Sequence, residues 1–232
     1  TLQQNQPGFY ALARQTGATY LYQVGNTGQR IDWSLDPLVI NTSEMPMLGR
    51  YVTIHQEFDS RGTFGFRELP ADPRRIASFV NLMPRIDCWP VLERFRERLP
   101  EFDWRVHGQE GEHGKLSGVH LIADVMAASG WGWHDKVHGD GFGHVLHNWA
   151  AIGRPLIGHG RHYAGRMGDI FWRDLETCID LDKHSEDEAV ELIRDITGTP
   201  KHAEMGRAIR AVFDANVDFA ADAEAVRRLI EG

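Results

Sequence analysis

Cysteine is scarce. Cys88 and Cys178 are the only two in 232 residues, far apart and each beside apolar side chains. This excludes a disulfide scaffold and reads as two buried, reduced thiols of a cytoplasmic protein, neither placed as a nucleophile. A long apolar run is missing too, since bilayer spans need about 20 such residues in a row, and no secretory leader or lipid anchor is visible. There is no excess of positive charge: 25 Lys and Arg face 33 Asp and Glu, for a formal net charge of −8. Nucleic-acid binding driven by counterion release is therefore disfavoured, although a local basic patch is compatible with the total. No internal repeat or low-complexity segment occurs. What remains, with 42% apolar residues, is a soluble globular chain of one large or two small domains.

Residues 131–160 organise the chain. A glycine-rich turn with Gly139, Gly141 and Gly143 opens onto a breaker-free run, 144–152, which ends at Gly153. A short apolar strand, 155–157, follows and stops at Gly158-His159-Gly160. Turn, helix and strand at this pitch are half of an α/β unit, whose ligands bind at the strand ends. Glycines let backbone N–H groups approach a ligand, and a helix starting there adds partial positive charge, which makes the turn an anion site. On that helix His144 and Asn148 share a polar face with His147 adjacent, while Val145 and Trp149 share an apolar one.

The same residues carry a resemblance. Asp140-Gly-Phe-Gly, then Asn148 eight positions after the aspartate, then Ala151-Ile-Gly-Arg-Pro-Leu-Ile, resembles the donor-site signature of retaining glycosyltransferases of the GT-B fold, family-4 type. There the motif reads E-G-F-G, a second glutamate eight positions on, and A-x-G-x-P-V-I. The resemblance implies that Gly139, Gly141, Phe142, Gly143 and His144 face the donor sugar and diphosphate. Asp140 then orients the sugar and stabilises positive character at the anomeric carbon, and Asn148 takes the ribose hydroxyls. The chain departs at both acids: Asp140 is one methylene shorter, and Asn148 is uncharged but still able to donate to and accept from a diol.

Elsewhere the pattern is α/β. Residues 2–17 read as a helix entered partway, as if the start were truncated or processed, and 18–24, 38–41 and 50–58 read as strands. In the resemblance these are the last part of an N-terminal, acceptor-side domain whose first glycine-rich loop has no counterpart here. Leu69-Pro-Ala-Asp-Pro marks the expected boundary, giving a shortened N-terminal α/β region over 1–70 and a nucleotide-sugar-binding, Rossmann-like domain with C-terminal helices over 71–232. Strands at 75–82 and 102–107 flank an amphipathic helix at 89–99, a spacing that implies a right-handed crossover and a parallel sheet. Residues 108–118 form a polar, glycine-rich loop, near the nucleobase in the resemblance. A helix at 120–128 and strands near 131–133 and 177–181 complete the sheet. Ser185 caps a helix with an acidic first turn, and Thr199-Pro200 separates it from the last helical stretches.

Two cations fall where a diphosphate is expected: Lys136 before the glycine turn, and Arg85 in the loop after a strand. With the helix-end amides they match the leaving charge without a divalent ion, so no metal and no cofactor beyond the nucleotide-sugar substrate are expected. Histidine density offers a different chemistry. His134, His138, His144, His147, His159 and His162, with Asp135 and Asp140, contain His-x-x-His twice, but neither H-E-x-x-H nor a cysteine-containing zinc pattern. His55, Glu57 and Asp59 form the dense polar cluster on the acceptor side. Three readings compete: a glycosyltransferase acting with retention and without metal on an unidentified acceptor; a non-catalytic nucleotide-sugar or partner-binding module; and a His-rich metal-dependent hydrolase. Sugar, lipid, protein and a modified base in DNA all fit as acceptors, the last disfavoured by charge.

Overall fold

A computed structural model describes residues 5–25, 30–42, 47–81, 85, 88–137 and 142–232. These fall into two units. The first spans Thr1–Glu57 with Phe142 and Val217–Gly232, and the second Phe58–Gly139 with Gly143–Asn216.

In the first unit, α1 (Gln6–Thr16) carries Pro7 in its first turn, where a fixed φ suits the helix. Three strands follow, β1 (Leu21–Val24), β2 (Leu38–Asn41) and β3 (Tyr51–Thr53), in the order β1-β2-β3. Both pairings are parallel, with Leu21 opposite Leu38 and Val39 opposite Tyr51. Tyr22, Val24 and Val39 form the small core. β3 is shorter than the run 50–58 expected from alternation, because β2 ends at Asn41 and its carbonyl takes the last bond, from the Ile54 amide at 3.0 Å. The C-terminal helix, α7 (Phe219–Glu231), is capped by Asp218 and packs against β2 and β3.

The second unit holds β4 (Arg75–Ser78), α2 (Trp89–Arg98), β5 (Asp103–Val106), α3 (Val119–Ala127), β6 (Trp131–Trp133), α4 (His144–Ile152), β7 (Leu156–Gly158), β8 (Cys178–Asp180), α5 (Glu186–Ile196) and α6 (Pro200–Asn216). Its sheet, in the order β5-β4-β6-β7-β8, is parallel throughout. Every residue of β6, β7 and β8 is buried, the mark of a sheet covered on both faces. Trp133 meets the edges of Phe95 and Trp104 at 5.3 and 5.6 Å between centroids. Gly132 brings α4 down onto the sheet: a Cβ there would lie 2.7 Å from the Trp149 ring.

The boundary expected between residues 70 and 71 falls inside this second unit, and the units divide at Glu57/Phe58. The reason is packing. Phe58 lies against Phe64 and Phe213, and the Arg67 amide bonds the Ile152 carbonyl at 3.0 Å, so 58–70 is tied to the larger unit before β4 begins. The C-terminal helix belongs with the N-terminal strands, which linear reading of composition does not reveal. Among the described residues, no helix is long and apolar enough to cross a membrane.

Candidate functional site

The strand order reverses direction between β4 and β6, and such a switch point leaves a crevice at the strand carboxyl ends. β4 ends at Ser78, whose hydroxyl is buried without a partner among the described residues. β6 ends at Trp133 and hands the chain to His134, Asp135 and Lys136. Asp135 is fully buried. Its two carboxylate oxygens each meet the Nδ1 of a histidine at 2.9 Å, Oδ2 with His159 and Oδ1 with His162, and the His159 amide donates to Oδ1 at 3.3 Å. Burial opposes the charge on Asp135, but the hydrogen bond from His159 and the electrostatic pull of both imidazoles outweigh it and hold the acid below its ordinary value. Burial pushes the His162 imidazole down, against the pull of Asp135.

The start of α2 adds a thiol. Cys88 occupies the N-cap position of that helix, and its sulfur, a carboxylate oxygen of Asp135 and a ring nitrogen of His162 lie within 4.8 Å of one another. Among the described residues this is the grouping able to hold a metal ion. The other cysteine, Cys178, is buried on β8, and burial raises its thiol far above the ordinary range.

The anion site expected at 139–144 is described in part. Gly139, Asp140 and Gly141 lie outside the described residues. Gly143 sits at the N-cap of α4 with φ 70°, a left-handed conformation that favours glycine, and no side chain caps the helix start. His144 begins the helix on its exposed side, with its ring edge-on to Phe58 at 5.5 Å. Phe142 is buried and meets His55 edge-on at 6.0 Å. Asn148, one turn further along the helix from His144, is buried, and its Oδ1 has no partner among the described residues. An unpaired buried acceptor costs about 1–3 kcal/mol.

Lys136 is half-buried directly after Asp135. Arg85 is mostly exposed and its Nε is paired with Glu110 at 2.5 Å. The polar cluster at 55–59 separates. His55 is held through Nδ1 and its backbone amide by one Asp222 oxygen, at 2.9 and 3.1 Å. Asp59 accepts from the Gly62 and Thr63 amides, 2.8 Å each, which pull its pKa down to about 2 and give it the work of closing a turn. The Asp222–His55 pair had no signal in the sequence, because Asp222 lies 167 positions away on an ordinary amphipathic helix. The His-x-x-His pair at 159 and 162 did carry one.

An all-parallel five-stranded unit with a switch point, in one chain with a second parallel α/β unit, is the architecture of the GT-B fold, and solved structures of that fold superpose along nearly the whole chain. HepE from Anabaena, in complex with UDP and glucose, superposes with a TM-score of 0.68 at 13% identity, over 99% of this chain and 76% of HepE. TarM gives 0.68 at 11% identity, over 99% of this chain and 53% of TarM. The pneumococcal O-GlcNAc transferase GtfA, in complex with UDP and GlcNAc, gives 0.61 at 13% identity, over 96% of this chain and 54% of GtfA. No protein-family model matches the chain, and no curated protein matches its sequence significantly.

Proposed function

We propose that the chain is a glycosyltransferase that takes a sugar from a nucleotide-diphosphate donor and passes it to an acceptor with retention of configuration. The observation that carries the reading is Asn148: the position that the signature gives to the ribose holds a buried carbonyl oxygen with no donor among the described residues. Support comes from the fold, whose solved examples include HepE bound to UDP-glucose.

The chemistry follows from charge. A nucleoside diphosphate leaves as an anion, and the uncapped start of α4 presents amide donors and the positive end of its dipole to it. Lys136 and Arg85 supply the cations, the Arg85 guanidinium being shared with Glu110. With these groups no divalent ion is required on the diphosphate. Asp140, in the role the signature gives it, stabilises the positive charge developing at the anomeric carbon while the leaving group departs and the acceptor attacks from the same face.

Thermal denaturation in the presence of UDP, GDP, ADP and TDP tests this. One of them at 100 times its dissociation constant should stabilise the fold by about 2.7 kcal/mol. Absence of a shift with all four at millimolar concentration removes the reading. In the same series Asp140→Asn should keep the shift and lose turnover by roughly 10²–10³-fold, the usual cost of one transition-state charge contact.

A further inference from the structure

We propose that Cys88, Asp135 and His162 form a binding site for a zinc-class divalent ion, with His159 orienting the carboxylate and solvent completing the coordination. This goes beyond the transferase reading and does not rest on it.

Three separate elements deliver the ligands: the start of α2, the segment after β6, and the 3₁₀ turn Gly160–Tyr163. Their sulfur, oxygen and nitrogen lie within 4.8 Å of one another, so modest side-chain rotation closes them to the spacing of a tetrahedral ion. The site is buried, with Asp135 fully and Cys88 almost fully covered, and the His162 side chain 8% exposed. Charge makes the case stronger. A buried carboxylate needs a cation or a metal, and the ionisable partners described for Asp135 are two imidazoles, with no Lys or Arg among them. Cys88 adds a second anionic ligand once the ion displaces its proton. Two negative ligands and an imidazole match one doubly charged ion.

The ligand set also chooses the ion. Thiolate and imidazole select zinc over magnesium or calcium, which prefer oxygen alone. His159 takes the outer position: its Nδ1 holds the carboxylate oxygen that His162 does not, as second partners of metal-bound carboxylates do. An ion here ties the start of α2 to the loops that follow β6 and β7. It is therefore a resident of the fold, distinct from an ion carried in on a diphosphate, and added magnesium or manganese should leave it undisturbed.

The test uses the whole chain, freed of metal and titrated with Co²⁺ and then Zn²⁺. One equivalent of Co²⁺ should bind with a thiolate-to-cobalt charge-transfer band in the near ultraviolet, and Zn²⁺ should abolish the band by displacement. Cys88→Ser should lose the band, and Cys178→Ser should keep it. His159→Gln should keep the band while Zn²⁺ affinity falls roughly 10–100-fold, the usual cost of losing an outer-shell partner. Where a variant fails to fold by circular dichroism, the parent protein decides: Zn²⁺ should slow alkylation of Cys88, read by mass spectrometry. The proposal is overturned if the parent shows no thiolate band, if the band survives in folded Cys88→Ser, or if Zn²⁺ leaves Cys88 alkylation unchanged. Zinc uptake without the band would place the ion on other histidines and overturn it equally. A nucleotide thermal shift is blind to all of these outcomes, so the two proposals fail separately.

Discussion

Trp131, Trp133 and Trp149 of the five-stranded unit are wholly buried, whereas in the three-stranded unit Phe9, Leu12 and Tyr51 are 48%, 55% and 47% exposed. The larger sheet is covered by helices and has central strands with no polar face. The smaller one has a small core around Tyr22, Val24 and Val39, and a cleft of about 580 Å³ lies along α1 and β1, lined by Phe9, Leu12, Tyr20 and Tyr22. Both are parallel sheets, which need cover on each face. The difference teaches where stability resides: deep contacts and protected hydrogen bonds are concentrated around β4, β6 and β7, and opening of α1 and β1 should cost least.

The comparison is tested most severely by truncation in the larger core. Trp133→Ala should cost about 3–5 kcal/mol, measured by urea denaturation. A loss below about 1 kcal/mol, the size of an average substitution, would mean that this core does not carry the fold.

Acid should act on the larger unit through His202. This side chain stacks on Trp131 at 4.2 Å, takes the Gly198 amide on Nδ1 at 3.3 Å and reaches the Gly130 carbonyl from Nε2 at 3.1 Å. The arrangement demands the neutral ring with its proton on Nε2, and burial lowers the pKa to about 4. The unfolded chain, with an ordinary value near 6.5, binds the proton first, so this contribution is complete above that pH and is lost as pH falls toward 4. Its size is about 3 kcal/mol from the difference between the two values. His202→Gln should flatten that part of the stability profile, and an unchanged slope would assign the acid sensitivity elsewhere.

A smaller effect concerns binding. Asn148→Ala should weaken nucleoside diphosphate affinity by about 1–3 kcal/mol in calorimetric titration, and Asn148→Glu should be tolerated. Equal affinity in the alanine variant would leave the helix as scaffold only. The smallest effect belongs to the three-stranded unit: Leu12→Glu, on an exposed face, should stay within about 0.5 kcal/mol of the parent. Hydrogen exchange should meanwhile show α1 and β1 exchanging faster than β4 and β6.

Much of this architecture was legible from local pattern. Turn chemistry and apolar period placed α4 at 144–152, and Ser185 with Glu188 forms the reciprocal cap its spacing implies. Strand order, the division of the units and the Asp222–His55 pair were not legible, because each joins residues distant in sequence. Prolines at 70 and 73 announce a break in regular structure, but Phe58, Phe64 and Arg67 decide which unit owns the segment before it. Of the candidate site, the glycine start of α4 and the place of Asn148 on that helix were readable from the motif. The approach of Cys88 to Asp135 and His162 was not readable, because it joins segments distant in sequence.

Arg154 is fully buried, and its guanidinium nitrogens donate to the carbonyls of Arg67, Glu68, Ala127, Ile152 and Gly153. Among the described residues it has no carboxylate in hydrogen-bond contact, and burial lowers its pKa to about 10. Its acceptors come from three places: the segment before β4, the end of α3 and the end of α4. Each helix end offers carbonyls that nothing within the helix can satisfy, so one cation closes both. During folding, a chain that has formed only some of these partners would hold a desolvated charge with too few oxygens around it, a state worse than leaving Arg154 in water. The side chain thus rewards the docking of all three segments together, and it couples the loop entering the sheet to the helix that carries Asn148.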